Sequence, residues 1–107
     1  MTETDELFNN ILIEAIDEGL LILSESGREV VYFHLHKFYG LKKEDIPKNL
    51  VTFLNCIRKI FGSGAFIIEK SIIRTLYKKI GLEFSEKEEY DFIKCLDALK
   101  EHFRKGL

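Results

Sequence analysis

Apolar side chains recur along this chain at helical intervals, and each run stops at a punctuation residue. Three runs end in glycine: Phe38-Tyr39-Gly40-Leu41, Ile60-Phe61-Gly62-Ser63 and Lys79-Ile80-Gly81-Leu82. Glycine just past a helix takes the left-handed conformation without a Cβ penalty, and the apolar residue after it folds back on the last turn. Two Ser-x-x-Glu boxes, Ser26…Glu29 and Ser85…Glu88, supply the matching start signals. Together these marks predict an all-α bundle of about five helices with short loops.

The first helix is expected from about Leu7 to Leu23, after a frayed terminus over residues 1–6. Its apolar residues, Leu7, Phe8, Ile11, Leu12, Ala15, Ile16, Leu20, Ile22 and Leu23, cover more than half the wheel. A surface helix needs only a stripe of ~100°. The excess puts this helix at the centre of the bundle or in a subunit interface, and a two-fold homodimer is the commonest way to cover a second apolar side.

The second stretch, Glu29 to Tyr39, is contested. Val31, Phe33 and Leu35 alternate as in a strand, yet Val30, Val31, His34, Leu35 and Phe38 share one helical face. The flanking box and glycine belong to a helix, and decide it. Ile46-Pro47 marks the third start, with Asp45 as its cap. Leu50, Phe53, Leu54, Ile57, Ile60 and Phe61 form the stripe that follows. The fourth helix is expected from about Ala65 to Ile80, burying Ile68, Ile72, Ile73, Leu76, Tyr77 and Ile80. The fifth runs from Glu86 to about Arg104, with Phe92, Ile93, Leu96, Leu99 and Phe103 inward.

The 107 residues make one domain, 1–107, large enough to fold without disulfides or a metal. Glutamine and tryptophan are missing while Ile, Lys and Glu abound, a bias like that of proteins from hot-living organisms. No stretch approaches the ~18 uninterrupted apolar residues of a membrane span, and the N-terminus is acidic where a signal peptide is basic. A cytoplasmic protein is expected. Cys56 and Cys95, widely spaced and without a CxxC neighbour, fit that compartment as buried thiols.

Charge is unevenly spread. Residues 1–29 hold eight acids against Arg28, and residues 58–79 hold six bases against Glu69. Attraction between these halves within one fold is the first reading, ahead of attraction between two copies or separate partners.

Candidate chemistry is sparse. Gly62-Ser63-Gly64 is the nearest thing to a phosphate loop, but a dinucleotide fingerprint needs a third glycine where Ile67 stands and a strand before it. It reads as a corner between helices. His34 and His36 point about 200° apart on a helix and cannot share a metal there. His34 falls on the apolar face as a hydrogen-bonded core histidine, and His36 is solvated. Cys56, Cys95 and His102 lack ligand spacing. Asp17-Glu18 and Glu88-Glu89 sit on solvated faces, and Ser26 and Ser85 are already explained as caps. No catalytic, cofactor or metal constellation is expected, and the chain reads as a non-enzyme.

One interaction candidate stands out. Lys70, Arg74 and Lys78 are spaced i, i+4, i+8 along one ridge of the fourth helix, with Lys79 nearby. Such a ridge meets successive phosphates or an acidic partner, against the plainer reading of an ordinary wet face.

Tyr32-Phe33-His34-Leu35, Glu44-Asp45-Ile46-Pro47, Ile60-Phe61-Gly62-Ser63-Gly64-Ala65 and Leu76-Tyr77-Lys78-Lys79-Ile80-Gly81 occur in that order. This series resembles the small archaeal domain family of the Nitrosopumilus-output type, over roughly residues 8 to 82. The resemblance implies a helical interaction or regulatory domain attached to signalling, with no assigned catalytic residues. A protein partner or self-association is therefore expected, with nucleic acid as the alternative.

Overall fold

A computed structural model describes residues 2–85 and 91–106. The described residues are all-α: α1 (Glu3–Gly19), α2 (Ser24–Tyr39), α3 (Leu50–Phe61), α4 (Ala65–Ile80) and α5 (Phe92–Lys105). Short 3-10 turns cover Leu20–Leu23, Lys43–Lys48 and Gly62–Gly64. All five helices contribute to one apolar core.

Two of the glycine stops act as the pattern predicts, Gly40 and Gly81 lying in the left-handed region, whereas Gly62 has ψ −129° and leads straight into a 3-10 turn. Gly40, Gly62 and Gly81 all have positive φ, at 66°, 56° and 88°. At α4, Gly81 N–H donates to Lys78 O and Leu82 N–H to Tyr77 O, which satisfies carbonyls left over at the helix end. The inward stripes also hold. Phe53, Leu54 and Ile57 of α3, Ile68, Ile72, Ile73 and Leu76 of α4, and Phe92, Leu96 and Leu99 of α5 are buried.

Several starts differ. Helix α1 opens at Glu3, within the terminus expected to be frayed, because the Thr2 hydroxyl accepts from Asp5 N–H. Helix α2 opens at Ser24, so Ser26 lies inside it and does not cap. Ser24 Oγ accepts from Gly27 N–H at 3.3 Å, with Ser24 itself at φ 73°, a strained value for a side-chain-bearing residue. Pro47 lies in the Lys43–Lys48 turn, where the Asp45 carboxylate accepts from Lys42 N–H; α3 begins later, at Leu50. That turn drives Ile46 into the core. Helix α5 is capped by Asp91, which accepts from Lys94 N–H. The Glu88 end of the Ser85…Glu88 box, the expected start at Glu86 and the Glu88-Glu89 pair fall in residues 86–90, outside the described residues.

Helix α1 buries Phe8, Leu12, Ala15 and Ile16 in the core but leaves Leu7 52% exposed. It packs most extensively on α4 and also meets α5 and the Lys43–Lys48 turn. Its excess apolar width has a geometric cause: the α-helix ends at Gly19, and a 3-10 turn redirects Leu20 inward while Leu21 and Ile22 stay exposed. The wheel through Leu23 thus misplaced the last turn, while Leu7, Leu21 and Ile22 remain exposed apolar residues.

The run Leu50–Ile80 is long and apolar enough, by length and composition, to cross a membrane. Gly62 divides it into α3, of 12 residues, and α4, of 16, each shorter than the ~20 residues a spanning helix needs.

Candidate functional site

The rotation of α2 decides which of its side chains reach solvent. Arg28, Val31, Tyr32, Leu35 and Tyr39 lie on one side of the helix, and Val30, Phe33, His34, Lys37 and Phe38 on the other. Both sets carry apolar residues at helical spacing. The choice is made by Asp17 of α1, whose carboxylate accepts from Tyr32 OH at 2.8 Å and Arg28 Nη1 at 3.1 Å, with Lys43 Nζ at 3.6 Å. Burial and the adjacent Asp17 push the Tyr32 phenol far above the ordinary tyrosine range, so it stays a donor. Asp17 is thus a structural hub and not the solvated carboxylate the sequence suggests.

This rotation buries Val31 and Leu35 but leaves Val30, Phe33 and Phe38 at 45%, 59% and 63% exposure. His34 and Phe38, expected on the core face, face outward instead. His34 is half-buried, with Nδ1 3.0 Å from Val30 O, and its ring sits 5.4 Å from that of Phe38 and 6.0 Å from that of Phe33. Lys37 Nζ lies 5.5 Å from the Phe33 ring centre and 5.6 Å from that of Phe38. These distances suit cation–π attraction. The stripe continues into a groove of about 610 Å³ between α2 and α3, lined by His34, Phe38, Tyr39, Cys56, Lys59 and Ile60. Removing such a phenylalanine from water gains roughly 1.5–3 kcal/mol, so this face is primed to be covered. Its spacing was visible in the sequence, but its direction was not.

On α4 one of the four candidate cations leaves the ridge. Lys79 turns to α1, with Nζ 2.9 Å from Glu18 and 3.7 Å from Glu14. The hydrogen bond to Glu18 raises its pKa, and the pair joins the acidic and basic halves of the chain. Lys70, Arg74 and Lys78 remain along the ridge. Aromatic neighbours, which the sequence did not reveal there, accompany it: Lys70 Nζ is 4.7 Å from the Phe66 ring centre, and the Arg74 guanidinium is 5.9 Å from that of Phe84. Phe66 is 47% exposed. The i, i+4 spacing of Phe66 and Lys70 was the available signal.

The Gly62-Ser63-Gly64 corner joins two helices and borders an open cleft of about 310 Å³ with Arg58, Glu69, Asp91 and Phe92. Arg58 Nη2 and Nε donate to the two oxygens of buried Glu69 at 3.1 and 3.3 Å. The guanidinium facing this cleft is thus already engaged by a carboxylate. The pair ties α3 to α4.

His36 borders a separate cleft beside Asp17, Arg28, Tyr32 and Lys43, and does not meet His34. Cys56 and Cys95 are free thiols, and burial raises the Cys56 pKa, which suppresses its thiolate. Among the described residues no three His, Cys, Asp or Glu side chains are grouped to hold a metal ion.

The fold and these faces define an all-α helical domain with an outward aromatic–cationic face. No family model, curated protein or solved structure matches the chain.

Proposed function

We propose that the chain is a non-enzymatic interaction module, acting in a regulatory or signalling-output context, whose recognition face is the outward side of α2 with the groove to α3. The observation that carries this reading is the row Val30, Phe33, His34, Lys37 and Phe38. It repeats the spacing of a buried helix face, yet nothing among the described residues covers it. Exposed aromatics with a neighbouring cation are the side chains that dominate protein interfaces. The motif series of the archaeal output-type domains supports the regulatory context, and Phe33 and His34 belong to its first string.

The test is capture of partners from source-cell lysate by the wild-type domain, a Phe33→Ser plus Phe38→Ser variant and a Lys70→Glu plus Arg74→Glu variant. The expected result is a protein retained by wild type and the α4 variant and lost from the α2 variant. Equal capture by all three overturns the reading.

A second reading, nucleic-acid binding by Lys70, Arg74 and Lys78, draws support from exposed Phe66 beneath Lys70, since an aromatic beside cations offers a base something to stack on. Its affinity for duplex DNA should fall with salt at a log–log slope of about −0.9 per phosphate contact. Unchanged DNA retention at low salt after Lys70→Glu plus Arg74→Glu ends it.

A further inference from the structure

The outward face of α2 restricts what can cover it. We infer that its occupant is an acidic amphipathic helix of a partner protein, an inference that rests on α2 being the docking face.

The helical form follows from the backbone. An extended segment gains its affinity by adding to an open sheet edge, and the described residues contain no strand, only helices joined by short turns and loops. A partner segment laid on this face must therefore satisfy its own backbone, which a helix does. From Val30 to Phe38 the face spans about 12 Å of helix, just over two turns. That length matches apolar anchors at i, i+3 or i+4, and i+7 on an incoming helix. The groove beside α3 offers it a lateral seat against Tyr39 and Ile60.

The acidic character follows from unspent charge. Elsewhere the basic side chains at helix contacts are neutralised: Lys43 by Asp17, Lys79 by Glu18, Arg58 by Glu69 and Arg104 by Asp5. Lys37 and Lys59 flank the aromatic face, both exposed, and among the described residues the groove lining contains no carboxylate. Carboxylates flanking the apolar anchors of a docked helix would meet these two lysines, whereas lysines there would be repelled. Charge at the rim thus selects among apolar helices without itself supplying most of the affinity.

The experiment uses fluorescent probe helices of about 18 residues, long enough to hold helical structure. Both carry Leu and Phe anchors at i, i+3 and i+7. One has Glu at the flanking positions and the other has Lys. At about 50 mM salt the Glu probe should bind wild type about tenfold more tightly, and the difference should shrink at about 0.5 M as screening shortens the range of the charges. Lys37→Glu plus Lys59→Glu should reverse the order. Phe33→Ser plus Phe38→Ser should abolish binding of both probes, with circular dichroism confirming that each variant is folded. Equal binding of the two probes overturns the acidic preference while leaving the docking face standing. Binding of both that survives the phenylalanine changes, or binding of neither, overturns the face itself. Two further results also overturn the inference: a dimer in sedimentation that Phe33→Ser dissolves, which makes a second copy the occupant, and capture by anionic phosphatidylserine vesicles without probe binding.

Discussion

Gly19 of α1 crosses Ile72 of α4 so closely that a Cβ on the glycine would lie 2.7 Å from the Ile72 Cα. At the same crossing Ser71 Oγ donates to Gly19 O at 2.9 Å. Backbone cannot move aside as a flexible side chain can, so a methyl group must push the two helices apart. Gly19→Ala should therefore destabilise the domain by about 1–3 kcal/mol, despite the better helix propensity of alanine. Urea denaturation at constant m-value measures it; a stabilised variant would show that the crossing is looser.

Tyr32 gives an alkaline signature. Its folded pKa is raised by burial first and then by Asp17. A raised folded pKa contributes stability that is complete below the unfolded value, about 10, and is lost as pH climbs above it. The wild type should lose stability above about pH 10 more steeply than Tyr32→Phe. Parallel curves from chemical denaturation would place the phenol in an ordinary environment.

Acid acts at the other end of the chain. Arg104 Nη2 and Nε donate to Asp5 Oδ1 at 2.7 and 2.9 Å, holding α5 against the start of α1. This bonding lowers the Asp5 pKa below 3.8, against a smaller opposing effect of burial. Stability from a depressed carboxylate is present above the unfolded value and lost as pH falls through the folded one. Asp5→Asn should therefore blunt the acid-induced loss that sets in below the unfolded value of 3.8, and Arg104→Ala should do the same. Helix content followed by circular dichroism reads both, and wild-type acid behaviour in the two variants would contradict the assignment.

The outward phenylalanines should matter little to folding. Phe33→Ser plus Phe38→Ser removes apolar surface that nothing described covers, so the stability change should stay within about 1 kcal/mol. A loss several times larger in thermal unfolding would mean that this face is part of the core.

Much of the architecture was legible because local chemistry dictated it. Gly40, Gly62 and Gly81 stop helices through their own positive φ, and α4 runs from Ala65 to Ile80 as its stripe requires. The face of α2 was not legible, since both of its sides satisfy an apolar period and the deciding bond joins Tyr32 to Asp17 across 15 residues. The start of α3 was misplaced because Pro47 suits a 3-10 turn as well as a first α-helical turn. The ridge of Lys70, Arg74 and Lys78 followed from spacing alone. The withdrawal of Lys79 depended on Glu18 of another helix, a tertiary fact no local pattern carries.

Amide chemical-shift mapping by NMR with the Glu-flanked probe helix tests most directly whether α2 is the recognition face. The expected result is perturbation confined to residues 30–39 of α2 and 56–60 of α3, at saturating probe and low salt. Perturbation along residues 66–78 of α4 instead, with α2 unmoved, would contradict it.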